Sequence, residues 1–364
     1  MTLKLEPLFA QHLNNLNEFP SFIFHYLLNK NDIILIGTNY GNCFNFLTDK
    51  LKLVRLHEDY KKRYIVAIGI WPLTEENNEN IFIWIHFRCS SISLFKIIYS
   101  PSNSEIIELS PLREFSTEHY GFCKSFADLN NKRMFLPDIE NLINILHIYY
   151  KNGSERILHL DGEFLNKNNK EEFKIFFKGL LMGIELINEN DLFLAFEDST
   201  ICILNLQNKQ IIDQLKHPKH CEFICWSITC YKKQTLIAIS VIGQLYLLSY
   251  FLDEKLNVEC ILEKTKNNIN YTALAITENN FNGNPKMAAG LKNGEIQIFS
   301  LIPPKDQGSK WSKQLNACIK NIHCNSIQCL KWMIKREELI DNKYLIFLLS
   351  GSFEEKFCFS QLLF

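Results

Sequence analysis

The stretch Leu192-Phe-Leu-Ala-Phe196, Glu197-Asp198-Ser199, Thr200-Ile-Cys-Ile-Leu-Asn-Leu206 decides the fold. Two apolar runs flank three polar residues, the pattern of two antiparallel strands joined by a tight turn. The unit returns as Lys286-Met-Ala-Ala-Gly290, Leu291-Lys-Asn293-Gly294, Glu295-Ile-Gln-Ile-Phe-Ser-Leu301. There Asn293-Gly294 predicts the positive φ angles of a type I′ turn. Ile296, Ile298 and Ser300 alternate with Glu295, Gln297 and Phe299.

Five weaker copies follow the same plan. They are Ile33 to Leu47 around Gly41, Ile81 to Ile97 around Cys89-Ser90-Ser91, and Arg133 to Ile148 around Asp138-Ile139-Glu140. The others are Leu236 to Tyr250 around Ile242-Gly243, and Leu345 to Leu363 around Gly351 to Glu355. Turn centres near 41, 90, 140, 198, 243, 294 and 354 lie 45 to 60 residues apart. A four-stranded propeller blade needs about 40–45 residues, so each interval holds one blade and a modest loop. The expectation is an all-β chain, a single seven-bladed WD40-type β-propeller domain over 1–364. Polar insertions at Pro72 to Asn80, Asp161 to Lys174 and Pro303 to Gln314 read as loops between strands.

His12, His57, His119, His217 and His323 each precede the apolar run expected to be the next innermost strand. A histidine in that loop commonly buttresses a WD40 blade through hydrogen bonds, and that role is expected here rather than catalysis. The last copy ends at Phe364 short of a fourth strand, while Leu5 to Ala10 precedes the first copy. The N-terminal strand is therefore expected to complete the last blade, which removes an exposed edge.

With 47% hydrophobic residues, only 14 Gly and 10 Pro, the composition is that of a large-cored globular chain. Net charge −1 supplies no global positive field for nucleic acid or an anionic membrane. Of the twelve cysteines, most stand in apolar segments, as Cys202 and Cys358 do, and read as small buried hydrophobes. The cluster Cys221, Cys225 and Cys230 matches no common zinc spacing. No secretory leader pattern and no apolar run of roughly 18 residues is present, so a reducing compartment is expected.

No nucleophile elbow, zinc-protease helix, phosphate loop or dinucleotide fingerprint occurs. Asp161-Gly162-Glu163 and Glu197-Asp198 read as turn formers. Lys61-Lys62-Arg63, beside Glu58 and Asp59, reads as a solvated loop. Phe87-Arg88-Cys89 is half of a paired-arginine phosphoinositide motif whose second arginine is absent. Trp71, Trp311 and Lys310 are candidate contact residues by loop position alone, with buried packing expected for both tryptophans. No catalytic, cofactor-binding or metal-ligating residue is assigned.

Tyr120-Gly-Phe-Cys-Lys-Ser-Phe126, Ala195 to Leu206, Ser326-Ile-Gln-Cys-Leu330 and Ser350-Gly-Ser352 followed by Phe357 to Phe359 together resemble the ASTRA-associated protein 1 family. These are divergent WD40 proteins related to the animal guanine-nucleotide-binding-protein β-subunit-like propeller. No Trp-Asp dipeptide survives, and Asn205, Phe299 or Phe359 stands where tryptophan usually ends the third strand. The resemblance implies a non-enzymatic, nuclear subunit of the ASTRA complex, with the cytoplasm also compatible. It further implies protein partners, including the adaptor that matures phosphatidylinositol-3-kinase-related kinases. It implies no cofactor, no direct nucleic acid, no membrane and no small-molecule substrate. The competing readings are another propeller adaptor, or a propeller hydrolase like the methylesterase of diphthamide synthesis, which requires a convergent nucleophile, base and acid.

Overall fold

The computed structural model describes residues 4–13, 17–28, 31–72, 81–99, 106–117, 119, 121–131, 133–138, 142–151, 154–160, 180–208, 210–216, 223–232, 234–242, 244–251, 255–264, 269–277, 284–306, 309–336 and 344–363. The expected turn centres at 140 and 243, His217, Cys221, Tyr120 and most of the Pro72 to Asn80 insertion lie outside them, as does all of the Asp161 to Lys174 insertion. Every regular element among the described residues is a β-strand, and the strands form seven four-stranded sheets. Six are meanders of consecutive strands over 20–57, 65–116, 126–160, 181–216, 223–264 and 271–319. The seventh joins 327–363 to the strand Lys4–His12, which pairs antiparallel with Lys356–Leu363 and takes the fourth place.

The chain divides into two compact units, 1–25 with 218–364, and 26–217. In the second unit, Asp191–Phe196 pairs with Thr200–Asn205, setting Leu192 opposite Leu204 and Leu194 opposite Cys202. Both strands are buried almost throughout, because each face packs on apolar neighbours. That is why their sequence reads as continuous apolar runs rather than strict alternation. One cluster in this unit joins Phe135, Ile145, Leu194, Phe196 and Cys202 across two sheets. In the first unit, Ala288, Ile296, Ile298, Ile327 and Leu348 do the same. A Cβ on Gly290 would come within 2.6 Å of Ile327, so glycine permits that close approach. The fourth strands, such as Ser312–Ile319, are largely exposed.

One turn differs from the sequence expectation. Asn293 keeps a negative φ and only Gly294 is positive, at 85°. Gly294 N–H donates to Leu291 O and Leu291 N–H to Glu295 O. This is a type I turn closed by a left-handed residue, not type I′. The same position is held by Gly41, Ser199 and Glu355, so in two of these turns a residue other than glycine takes the left-handed conformation. A second signature is structural only. The first strand of five sheets carries an irregularity at one place, between Ile65 and Ala67, Leu181 and Gly183, Phe223 and Cys225, Tyr271 and Ala273, and Ile327 and Cys329.

Candidate functional site

The loop that leads into the strand Ile65–Pro72 is built around one carboxylate. Asp59 Oδ2 accepts from the backbone N–H of Arg63 at 2.8 Å and from its Nε at 3.0 Å, and Oδ1 accepts from Nη2 at 3.1 Å. Asn42 Oδ1 accepts the Asp59 N–H, and a Cβ on Gly41 would meet Asp59 at 2.6 Å. Arg63 Nη1 reaches on to Ser91 Oγ at 2.9 Å and Glu114 Oε1 at 2.5 Å. Its guanidinium lies 4.0 Å from the centre of the Phe87 ring. Burial alone would raise the Asp59 carboxyl, but hydrogen bonds and charge from Arg63 hold it below its ordinary range. The side chains of Asp59 and Arg63 are only 6% and 15% exposed. Arg63 therefore departs from the solvated-loop expectation for Lys61-Lys62-Arg63.

The tip of this loop faces outward. Lys62 adopts a positive φ of 52°, its N–H closing a turn onto Asp59 O at 2.9 Å. Tyr60 is 91% exposed. Lys62 Nζ lies 5.3 Å from the centre of the Tyr40 ring. On the other side, Tyr64 meets Phe122 edge-on at 5.5 Å, and the Arg88 guanidinium stacks 3.6 Å from the Phe122 ring centre. The Arg88 N–H donates to Tyr64 O at 2.8 Å. Two aromatic and basic groups thus stand on and beside this loop, Lys62 with Tyr40, and Tyr64 and Arg88 with Phe122. Phe122 is 45% exposed. Such groups mark binding sites, since aromatic and arginine side chains dominate interface energetics.

The loop before Ile327–Arg336 carries a different network. His323 Nδ1 donates to Glu354 Oε1 at 2.9 Å, and Ser350 Oγ meets His323 Nε2 at 2.8 Å. Serine, histidine and acid are in hydrogen-bond sequence, as in a hydrolytic triad. Yet Ser350 and His323 are almost completely buried. Burial pushes the imidazole down to about 4 despite the opposing pull of Glu354. A nucleophile sealed in packed protein has no approach for a substrate carbonyl, so the arrangement serves as a buttress. The other histidines vary in role. His119 Nδ1 accepts the Gly121 N–H, and His57 packs 4.7 Å from the Phe95 ring centre. His12 Nδ1 donates to Glu354 O from an exposed position.

The structure disperses the remaining residues singled out in the sequence. Trp71 lies within a strand rather than a loop, and both it and Trp311 are buried. Trp311 Nε1 donates to Gln234 Oε1, while exposed Lys310 donates to Val258 O. Glu197 and Asp198 are turn residues, with Asp198 Oδ1 accepting the Thr200 N–H. Asn205, at a usual tryptophan position, donates to Asp191 Oδ1. Among the described cysteines all are free thiols, but only Cys43, Cys123, Cys202, Cys329 and Cys358 are buried. Cys89, Cys230, Cys318 and Cys324 are exposed, so burial is not the rule for this residue type here. Among the described residues no group of three His, Cys, Asp or Glu is placed to hold a metal ion. Tyr40, Tyr60, Tyr64 and Phe122 were not read from sequence as a group. They stand on three loops, and only the run of aromatic and basic residues from Tyr60 to Tyr64 hinted at it.

No protein-family model matches the chain, and no curated protein matches it. Solved structures do. The β-propeller domain of Cps50 (Swd1) from Myceliophteria thermophila aligns with a TM-score of 0.63 at 12% identity, covering 99% of this chain and 100% of that one. Raptor from Chaetomium thermophilum aligns with a TM-score of 0.62 at 11% identity, covering 100% of this chain but only 29% of Raptor. The chain therefore has a β-propeller fold.

Proposed function

We propose that this chain is a non-enzymatic WD40-type scaffold, one seven-bladed propeller over 1–364, that binds protein partners on an exposed loop surface. The observation that carries this reading is the set of aromatic and basic side chains on and beside one loop, Lys62 with Tyr40, and Tyr64 and Arg88 with Phe122, on a loop held by the Asp59–Arg63 ion pair. A strongly exposed tyrosine contributes little to its own fold, whereas burying it against a partner would contribute much. The finer reading, a nuclear subunit of the ASTRA complex working with the kinase-maturation adaptor, rests on the sequence resemblance alone. Affinity purification with mass spectrometry tests it. Recovery of ASTRA or kinase-chaperone subunits is expected, and their absence from an otherwise specific set of partners would defeat the family assignment.

The hydrolase reading has one observation in its favour, the Ser350, His323 and Glu354 sequence of hydrogen bonds. Its buried serine argues against it. A fluorophosphonate probe is expected to leave Ser350 unlabelled in the folded chain. Stoichiometric labelling that disappears in Ser350→Ala would establish the enzyme instead.

A further inference from the structure

We propose that the surface formed by Tyr40, Tyr60, Lys61, Lys62, Arg88 and Phe122 docks a short acidic segment of a partner protein that also carries a bulky apolar side chain. The inference rests on the scaffold reading and adds the chemistry of the partner. Its first support is charge. Glu58 is paired with Arg55, and Asp59 and Glu114 are paired with Arg63. Among the described residues, neither Lys61 nor Lys62 has a carboxylate within ion-pair distance, although Lys61 still feels the charge of Glu114. Each of these three acids already has an arginine partner, buried for Asp59 and half-exposed for Glu58 and Glu114, and the lysines at the loop tip are left to meet an anion from outside.

The second support is preorganisation. The hydrogen bonds to Asp59 and the turn at Lys62 fix the loop before any partner arrives. Little conformational entropy remains to be lost on docking. The third is the exposed apolar component. Tyr60 is exposed next to Lys61 in the chain and Phe122 is exposed beside Arg88, and a purely electrostatic contact would need neither. A nucleic-acid backbone fits less well. Three cations neutralise too few phosphates for useful affinity at physiological salt, and a chain of net charge −1 adds no supporting field. Carboxylates spaced along one peptide, with an aromatic or leucine between them, match the lysines and the tyrosine together.

The test uses the full chain and an immobilised library of nine-residue peptides. Half combine Asp and Glu with Phe or Leu, half substitute Lys and Arg for the acids, and a single-stranded oligonucleotide of similar length is run beside them. Binding to acidic members with at least a tenfold preference is expected, weakening tenfold or more in Lys61→Glu/Lys62→Glu and in Tyr60→Ala. Melting temperatures of these variants should match the parent, because all three side chains are exposed. Absence of acidic binders, binding indifferent to the substitutions, or stronger binding of the oligonucleotide would each overturn the proposal. Partners recovered equally by parent and charge-reversed chains would also overturn it while leaving the scaffold reading intact. A chain that recovers no partner at all would sink the scaffold reading itself.

Discussion

The loops before Ile65–Pro72 and before Ile327–Arg336 hold the same place in their sheets, yet they are stabilised by opposite chemistry. One is pinned by a charged arginine shared between Asp59 and Glu114, the other by a neutral histidine between Ser350 and Glu354. Both solutions satisfy the buried polar groups of a loop that must connect two sheets. They differ in what they leave outside. The ion-paired loop projects Tyr60, Lys61 and Lys62 into solvent, an aromatic and two cations, whereas the other exposes Asn321, Cys324 and Asn325. Repetition of an architectural position does not fix its chemistry: His57 stands before Ile65–Pro72 as His323 stands before Ile327–Arg336, yet it packs on Phe95 while Arg63 ties the loop together.

The largest effect expected from breaking this contrast is at Arg63. Arg63→Ala strands a buried carboxylate at Asp59 and should cost about 3–5 kcal/mol, read from urea unfolding. Arg63→Lys should recover only part, since an ammonium lacks the fork that spans Asp59, Ser91 and Glu114. A loss below about 1 kcal/mol would show that the loop is not held this way.

Acid should separate the two loops next. The folded chain holds His323 neutral, so its stabilisation is complete above the ordinary histidine value of about 6.5. It is lost as pH falls through about 4, for a total of about 3 kcal/mol. His86, which burial holds down to about 3 beside Ser125, acts in the same direction. The carboxyls of Asp59 and Glu114 both sit below their ordinary values, so the arginine network keeps its charge to lower pH than free carboxylates would. Thermal melts between pH 7 and 4 should fall steeply for the parent and more gently for His323→Gln. Parallel curves would remove His323 as the acid-sensitive group.

The smallest effects concern the turns beside each loop. Gly41 has a φ of 80° and faces Asp59, so Gly41→Ala should cost about 2 kcal/mol through strain and collision. Glu355 occupies the matching left-handed position at 65°. Glu355→Gly should be neutral within about 0.5 kcal/mol, relief of strain offsetting both the flexibility of glycine and the lost bond from Asn17 N–H. Equal costs at the two turns would mean that Asp59 is not tightly packed against Gly41.

Much of the fold was legible because strand signals are local. The paired runs Leu192 to Phe196 and Thr200 to Leu206 announce a buried hairpin within fifteen residues of chain. The pairing of Lys4–His12 with Lys356–Leu363 followed from the missing fourth strand of the last copy. The fourth strands were harder to see. Ser312–Ile319 is mostly exposed and carries a mixed polar sequence, so no apolar periodicity marks it. The left-handed conformation of Ser199 was not legible either, because a serine in such a turn leaves no mark on composition.

By itself the sequence determined the β-rich repeat, the hairpin positions and the lack of any recognised catalytic motif. Each follows from patterns that span a few residues, where side-chain alternation and turn chemistry act directly on the backbone. Only the tertiary structure decided which charges meet. Arg63 and Glu114 are 51 residues apart in sequence, and His323 and Glu354 are 31 apart. Their pairing depends on which loops folding brings together, and the basic run at 61–63 reads the same whether its arginine is solvated or buried. The structure buries Arg63, whose planar fork bonds both oxygens of Asp59, and leaves Tyr60, Lys61 and Lys62 exposed.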